Sequence, residues 1–169
     1  RIHFPALKEF AASLRNVPVQ LELSFFNPDY GLQGRVDILY EKDGKRHIVE
    51  LKSGKAHIFD VWKNNKMQVI AYNMMLKKSG RNPLGYASIF YSSAGENALR
   101  HISSDMALEQ ELIMCRNRIV GLIHNLAIDP IPFFHWLKEQ KVSSDNNFRE
   151  AKLSKIIETL QNLEDYEYE

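Results

Sequence analysis

Cysteine is nearly absent: Cys115 is the only one in 169 residues. That excludes an internal disulfide and any all-cysteine zinc or iron–sulfur site. Cys115 lies in an apolar stretch of helical spacing, Leu112 to Ile123, where a buried thiol is expected. A lone thiol fits a reducing, cytoplasmic setting. Long apolar runs are also missing. None approaches the ~18 residues needed to cross a bilayer, so no membrane partner is expected. The first residues mix Arg1, His3 and Lys8 with apolar side chains, which is not the pattern of a secretory leader. No initiator Met is present, so an excised domain or processed chain is expected. There is no GxxxxGK[ST] loop to cradle a nucleotide, no internal repeat and no low-complexity tract.

What remains is an ordinary globular composition, 44% apolar and 25% charged, in a chain long enough for one domain with a full core. The formal net charge of +1 conceals an asymmetry. Residues 1–82 carry 14 Lys/Arg against 8 Asp/Glu, and residues 83–169 carry 8 against 13. A basic first half is compatible with a polyanionic partner.

Residues 4–15 have helical spacing, with Leu7, Phe10, Ala11 and Leu14 on one stripe, and Pro18 ends that helix. Residues 19–26 read as a strand. Asn27-Pro28-Asp29 forms a turn, and Gly31 and Gly34 bracket a bend. Residues 35–42 and 45–52 are strands joined at Asp43-Gly44, the strongest short hairpin signal. A long helix is predicted over 60–79, opened by Asp60 as N-cap and closed near Gly80; Met67, Ile70, Met74 and Met75 are its core candidates. Residues 84–92 and 98–103 read as strands and 105–125 as a helix. Asp129-Pro130-Ile131-Pro132 breaks that helix, and a last one covers 148–163. This order predicts one α/β domain over 1–163, a small mixed sheet flanked by helices, followed by an acidic tail, 164–169.

The chemistry concentrates in the hairpin. With a two-residue turn at Asp43-Gly44, Asp37 falls opposite Glu50, Arg35 opposite Lys52, Ile38 opposite Val49 and Val36 opposite Leu51. Alternation then puts Val36, Ile38, Val49 and Leu51 on a core face, and Arg35, Asp37, Glu50 and Lys52 on the other. Facing carboxylates destabilise a sheet, and a divalent cation between them would relieve the repulsion. Magnesium takes one or two carboxylates plus water and phosphate oxygens. Lys52 would reach the same side, able to stabilise charge on a phosphate or orient a water. A purely structural arrangement is the alternative, with diagonal salt bridges from Arg35 to Glu50 and from Asp37 to Lys52.

Asp37, then twelve residues, then Glu50-Leu51-Lys52 resembles the D…(D/E)xK signature of the PD-(D/E)xK nuclease superfamily. Gln68-Val69-Ile70-Ala71-Tyr72 resembles the QxxxY motif of its RecB-like branch. Gly31-Leu32-Gln33-Gly34-Arg35-Val36-Asp37 and Glu50-Leu51-Lys52-Ser53-Gly54-Lys55 look closest to the nuclease module of the replication flap-processing nuclease–helicases. The likeness covers roughly residues 20–76. It implies a restriction-endonuclease-like α/β core and a Mg2+- or Mn2+-dependent deoxyribonuclease, acting on single-stranded or flapped DNA in replication or repair. Its helicase would lie on a longer chain or a partner, and its location would be intracellular and nucleoid-associated.

The resemblance assigns metal binding to Asp37, Glu50, the main-chain carbonyl of Leu51 and, on the preceding strand, Glu22. Lys52 would be the catalytic lysine, with Gln68 and Tyr72, one helical turn apart, lining the site. Lys55, Lys63, Lys66 and Arg35 would meet the DNA backbone. His57, Phe59 and Trp62 would stack on unpaired bases, unless Phe59 and Trp62 are core residues. Two departures stand out. The four cysteines that hold an iron–sulfur cluster in many relatives are missing. His3 is also the only histidine before Glu22, where several relatives place a metal ligand, and a terminal surface histidine is the simpler reading. Alternatives to the nuclease reading are a non-catalytic DNA-binding module of a helicase and a sequence-specific restriction-type endonuclease. The QxxxY helix argues against the latter.

Overall fold

A computed structural model describes residues 4–77, 82–103, 105–143 and 147–162. The chain divides into two compact units, 1–114 and 115–169, and the boundary falls inside a helix. His3, the expected helix end near Gly80 and the acidic tail lie outside the described residues.

The first unit is built on a five-stranded sheet in sequential order, β1 (Val19–Asn27), β2 (Leu32–Lys42), β3 (Lys45–Lys52), β4 (Leu84–Tyr91) and β5 (Leu99–Ile102). Neighbours are antiparallel except β3 and β4. A parallel pair needs a crossover, and α2 (Lys63–Leu76) supplies it. The mixed α/β architecture is therefore the one expected from the element order, and it is consistent with a restriction-endonuclease-like core.

Helices cover both faces of the sheet. On one, α2 sends Val69, Tyr72, Met75 and Leu76 against Val36, Leu39, Ile48, Ala87, Ile89 and Tyr91. On the other, α1 (Phe4–Ser13) sends Phe10 against Ile38, Tyr40, Val49 and Phe90, the Phe10 and Phe90 rings stacking at 5.0 Å. Leu7 and Leu14 lean on that second core, while Ala11 is exposed. Burial on both faces explains the unbroken buried run from Ala87 to Tyr91 in β4.

Local chemistry fixes the hairpin between β2 and β3. Asp43 and Gly44 both have positive φ, 53° and 70°, the backbone that a tight two-residue turn requires. The partners Ile38 with Val49 through Lys42 with Lys45 follow the expected register. Gly31, at φ 58°, closes the turn between β1 and β2, where Asn27 accepts the Tyr30 N–H through Oδ1 at 3.3 Å. Gly34 does not bend the chain; it sits inside β2, paired with Phe25.

Other expectations need correction. α2 begins at Lys63 with no side-chain cap. Asp60 is not its N-cap and instead faces Lys66, Nζ to Oδ2 3.6 Å. Cys115 is exposed, since α3 (Met106–Ile128) has no buried residue. A further helix, α4 (Ile131–Lys138), stands where the prolines signalled only a break. Pro130 is its N-cap residue and Pro132 sits in its first turn, where a missing N–H costs nothing. In the second unit α4 packs with α5 (Asn147–Gln161), and Gln161 Nε2 donates to the Lys138 carbonyl at 2.8 Å. Among the described residues no helix is long and apolar enough to cross a membrane.

Candidate active site

Asp37 lies where β2 changes face. Val36 belongs to the core under α2, and Ile38, two residues on, belongs to the core under α1. A regular pleat would keep both on one side. The ladder between β2 and β3 ends at Ile38 and Val49. Beyond it the Leu51 N–H donates to Asp37 Oδ2 at 2.7 Å, so a carboxylate takes the role of a main-chain acceptor. The simple division into a core face and a charged face is thereby overturned. Val36 shares its core with the face that carries Glu50, and Leu51 is 39% exposed. Alternation cannot assign the faces of a sheet that is covered on both and whose pleat breaks at the decisive residue.

Glu50 is 5% exposed. Its Oε1 accepts from Lys52 Nζ at 2.9 Å and from Gln68 Nε2 at 2.6 Å. Gln68 Oε1 in turn accepts from Lys52 Nζ at 2.7 Å, and Gln68 Nε2 also donates to the Tyr72 hydroxyl at 2.7 Å. The amide orientation is fixed by chemistry: ammonium offers only donors, ionised carboxylate only acceptors. Glu50 Oε2 is buried and has no hydrogen-bond partner. Such an oxygen costs about 1–3 kcal/mol if it stays unpaired.

Burial pushes the Glu50 carboxyl above the usual glutamate range. The hydrogen bond from Lys52 opposes the rise, and the negative charge of Asp37 adds to it. Tyr72 is raised as well, first by burial, against the pull of its bond from Gln68. Two acidic side chains in mutual repulsion, one with an orphaned buried oxygen, are hard oxygen donors that suit magnesium or manganese. The diagonal salt bridges of the structural alternative do not form; Lys52 pairs with Glu50 on its own strand and Arg35 pairs with Glu22.

Glu22 stands apart from this centre. By count it falls level with Asp37, yet the β1–β2 ladder skips it. It adopts φ 53°, a left-handed backbone that non-glycine residues rarely hold. Its carboxylate is exposed and meets Arg35 Nε at 2.8 Å. Among the described residues no three His, Cys, Asp or Glu side chains converge as a metal cage. Of the expected phosphate contacts, Lys63 pairs with Glu111 at 2.7 Å and Lys66 lies near Asp60. Lys55 is exposed with no ion-pair partner among the described residues.

The structure adds two residues that support the site. A Cβ on Gly34 would stand 2.8 Å from Tyr72 Cε1, so the absence of a side chain there lets the Tyr72 ring lie against β2. Arg100, on β5, bonds through Nη1 to the carbonyls of His57 (2.7 Å) and Asp60 and thus holds the loop after Lys52. Gly34 was visible in the sequence only as a turn former. Nothing local marks Arg100, which acts about forty residues away.

A helix-flanked mixed sheet with an acidic pair and a lysine gathered at the end of its central hairpin defines a restriction-endonuclease-like core. The sequence profile of the PD-(D/E)XK nuclease superfamily matches residues 3–169, and the chain belongs to that superfamily. No curated protein matches the chain.

Proposed function

We propose that the chain is a metal-dependent deoxyribonuclease of the RecB-like branch, hydrolysing phosphodiester bonds in single-stranded or flapped DNA. A helicase on a longer chain or a partner would deliver the strand during replication or repair. The two compact units are taken as parts of one nuclease domain, 1–163, because the family match runs through both. The observation that carries the reading is the buried, unpartnered Oε2 of Glu50 beside Asp37.

Asp37, Glu50 and the Leu51 carbonyl would hold Mg2+ or Mn2+, with Glu22 joining after release from Arg35. A bound divalent ion supplies charge neutralisation at the phosphate and an acidified water. The chain's own groups do the rest. An ammonium has three protons, and Lys52 spends two on Glu50 and Gln68. The third is free for a phosphate oxygen or the attacking water, a donor to charge that develops in the transition state. Gln68 fixes the spacing of Lys52 and Glu50, and Tyr72 fixes Gln68. Lys55 would hold the DNA backbone, with Lys63, Lys66 and Arg35 recruited from their ion pairs.

The test is cleavage of end-labelled single-stranded, flap and closed circular duplex DNA in magnesium, manganese or EDTA. Metal-dependent cleavage of the first two is expected. Binding without cleavage under every condition would identify a non-catalytic module. Equal cutting of closed circles would identify a restriction-type enzyme.

A further inference from the structure

Between Lys52 and α2 the chain runs through residues 53–62 outside any helix or strand. The tip of this loop carries two apolar side chains almost wholly in solvent, Ile58 at 76% and Phe59 at 93% exposure, with Trp62 at 44%. The expectation that Phe59 and Trp62 belong to the core is thereby excluded.

The loop is well anchored. Arg100, its guanidinium 5.1 Å from the Tyr91 ring centre, binds the carbonyls of His57 and Asp60. Trp62 Nε1 donates to the Lys55 carbonyl at 2.8 Å, and Ser93 Oγ donates to the Gly54 carbonyl at 2.8 Å. His57 Nδ1 accepts the Asp60 N–H at 2.9 Å and its ring meets Trp62 edge-on at 4.9 Å. The polar backbone of the loop is thus tied to the sheet, while Ile58 and Phe59 have little to pack against.

We infer that Phe59, with Ile58 beside it, is a stacking platform for unpaired bases of the strand whose phosphate lies at Lys52; this rests on the nuclease reading. The loop continues directly from Lys52, and Phe59 stands seven residues further along the chain, on a segment that Arg100 holds in place. Along the sequence Lys55, Lys63 and Lys66 stand on either side of the apolar tip, Lys63 and Lys66 facing Glu111 and Asp60 until a phosphate displaces them. Cations around an aromatic suit a backbone of phosphates bearing π-faced bases, whereas protein interfaces are depleted of lysine. A paired base hides its face in the duplex stack, so the platform selects single-stranded segments.

The experiment uses the full chain carrying Asp37→Asn to suppress cleavage. Fluorescence anisotropy would compare a labelled mixed-sequence single strand with a blunt duplex of equal length. Phe59→Ala should weaken single-strand binding about tenfold or more, the scale of one lost base–aromatic stack, with little effect on the duplex. Phe59→Trp should restore binding, with its indole emission quenched by the single strand, and Phe59→Leu should not restore it. An unchanged melting temperature is expected, since the side chain is exposed. Equal loss on both DNAs, full rescue by leucine, or no loss with alanine would overturn the platform. In those cases a cleaving wild type leaves the nuclease reading standing. A wild-type chain that neither binds nor cuts any DNA would overturn both.

Discussion

Tyr72 lies so close to Gly34 that the smallest side chain at position 34 would place its Cβ 2.8 Å from the ring. The ring is buried, and its hydroxyl accepts the Gln68 proton that keeps Gln68 aligned with Glu50 and Lys52. A glycine on β2 therefore acts on Lys52 through a tyrosine and a glutamine on α2.

Gly34→Ala should destabilise the fold by about 1–3 kcal/mol, the usual cost of overpacking a core. It should also lower the single-turnover cleavage rate. The two effects separate in a double-mutant cycle with Tyr72→Ala. If Gly34 acts through Tyr72, the second substitution adds little to the rate loss. Fully additive losses would mean that Gly34 supports the site by another route.

Asp37 has a structural contact of its own, since its Oδ2 accepts the Leu51 N–H. Asp37→Asn keeps an acceptor oxygen while removing the charge that raises Glu50. Cleavage should vanish, with thermal stability in EDTA equal to or slightly above that of the wild type. A mutant that unfolds would show Asp37 to be structural.

Glu50 should give stability a definite pH dependence. Its folded-state pKa is raised above the unfolded value, chiefly by burial. Its contribution is therefore full below the ordinary glutamate range and is lost as pH rises through the raised value. In EDTA the wild-type melting temperature should fall across that window, and Glu50→Gln should flatten the fall. Manganese should recover wild-type stability above the window, since a ligand bound only by the folded state stabilises it, and do less for Glu50→Gln. Identical pH profiles for the two proteins would show that Glu50 is not the source.

Lys52 offers Glu50 and Gln68 two donors in a tight geometry, at 2.9 and 2.7 Å. Arginine keeps the charge and changes reach and donor directions. Lys52→Arg should retain DNA binding and lose at least about 10²-fold in single-turnover cleavage, the scale of one lost transition-state donor. Cleavage at the wild-type rate would reduce Lys52 to a counter-charge.

DNA binding should weaken with salt as phosphates exchange counterions for lysines. Lys55→Ala should lower the salt slope by about one contact. Lys63→Ala and Lys66→Ala should lower it less, because Glu111 and Asp60 already compete for those cations. An equal change for all three would mean the ion pairs open freely on binding.

Local rules were enough for much of this molecule. Asp43-Gly44 set the hairpin register by its left-handed backbone preference, and the ladder keeps that register from Lys42–Lys45 to Ile38–Val49, stopping one pair short of Asp37 and Glu50. The four-residue spacing of Gln68 and Tyr72 put both on one helix face. The prolines of α4 misled because a ring that blocks a helix interior is harmless in its first turn. The broken pleat at Asp37, the Lys52–Gln68–Glu50 triangle and the orphaned Oε2 were decided by tertiary structure. The triangle depends on α2 crossing over the sheet from β3 to β4 and pressing Gln68 against Glu50 and Lys52, residues sixteen to eighteen positions away. Gly34 could serve Tyr72, and Arg100 the loop of Phe59, only once that packing had brought them together. Periodicity and turn chemistry report what a residue does to its own backbone; which distant side chain fills the space above it depends on packing between elements.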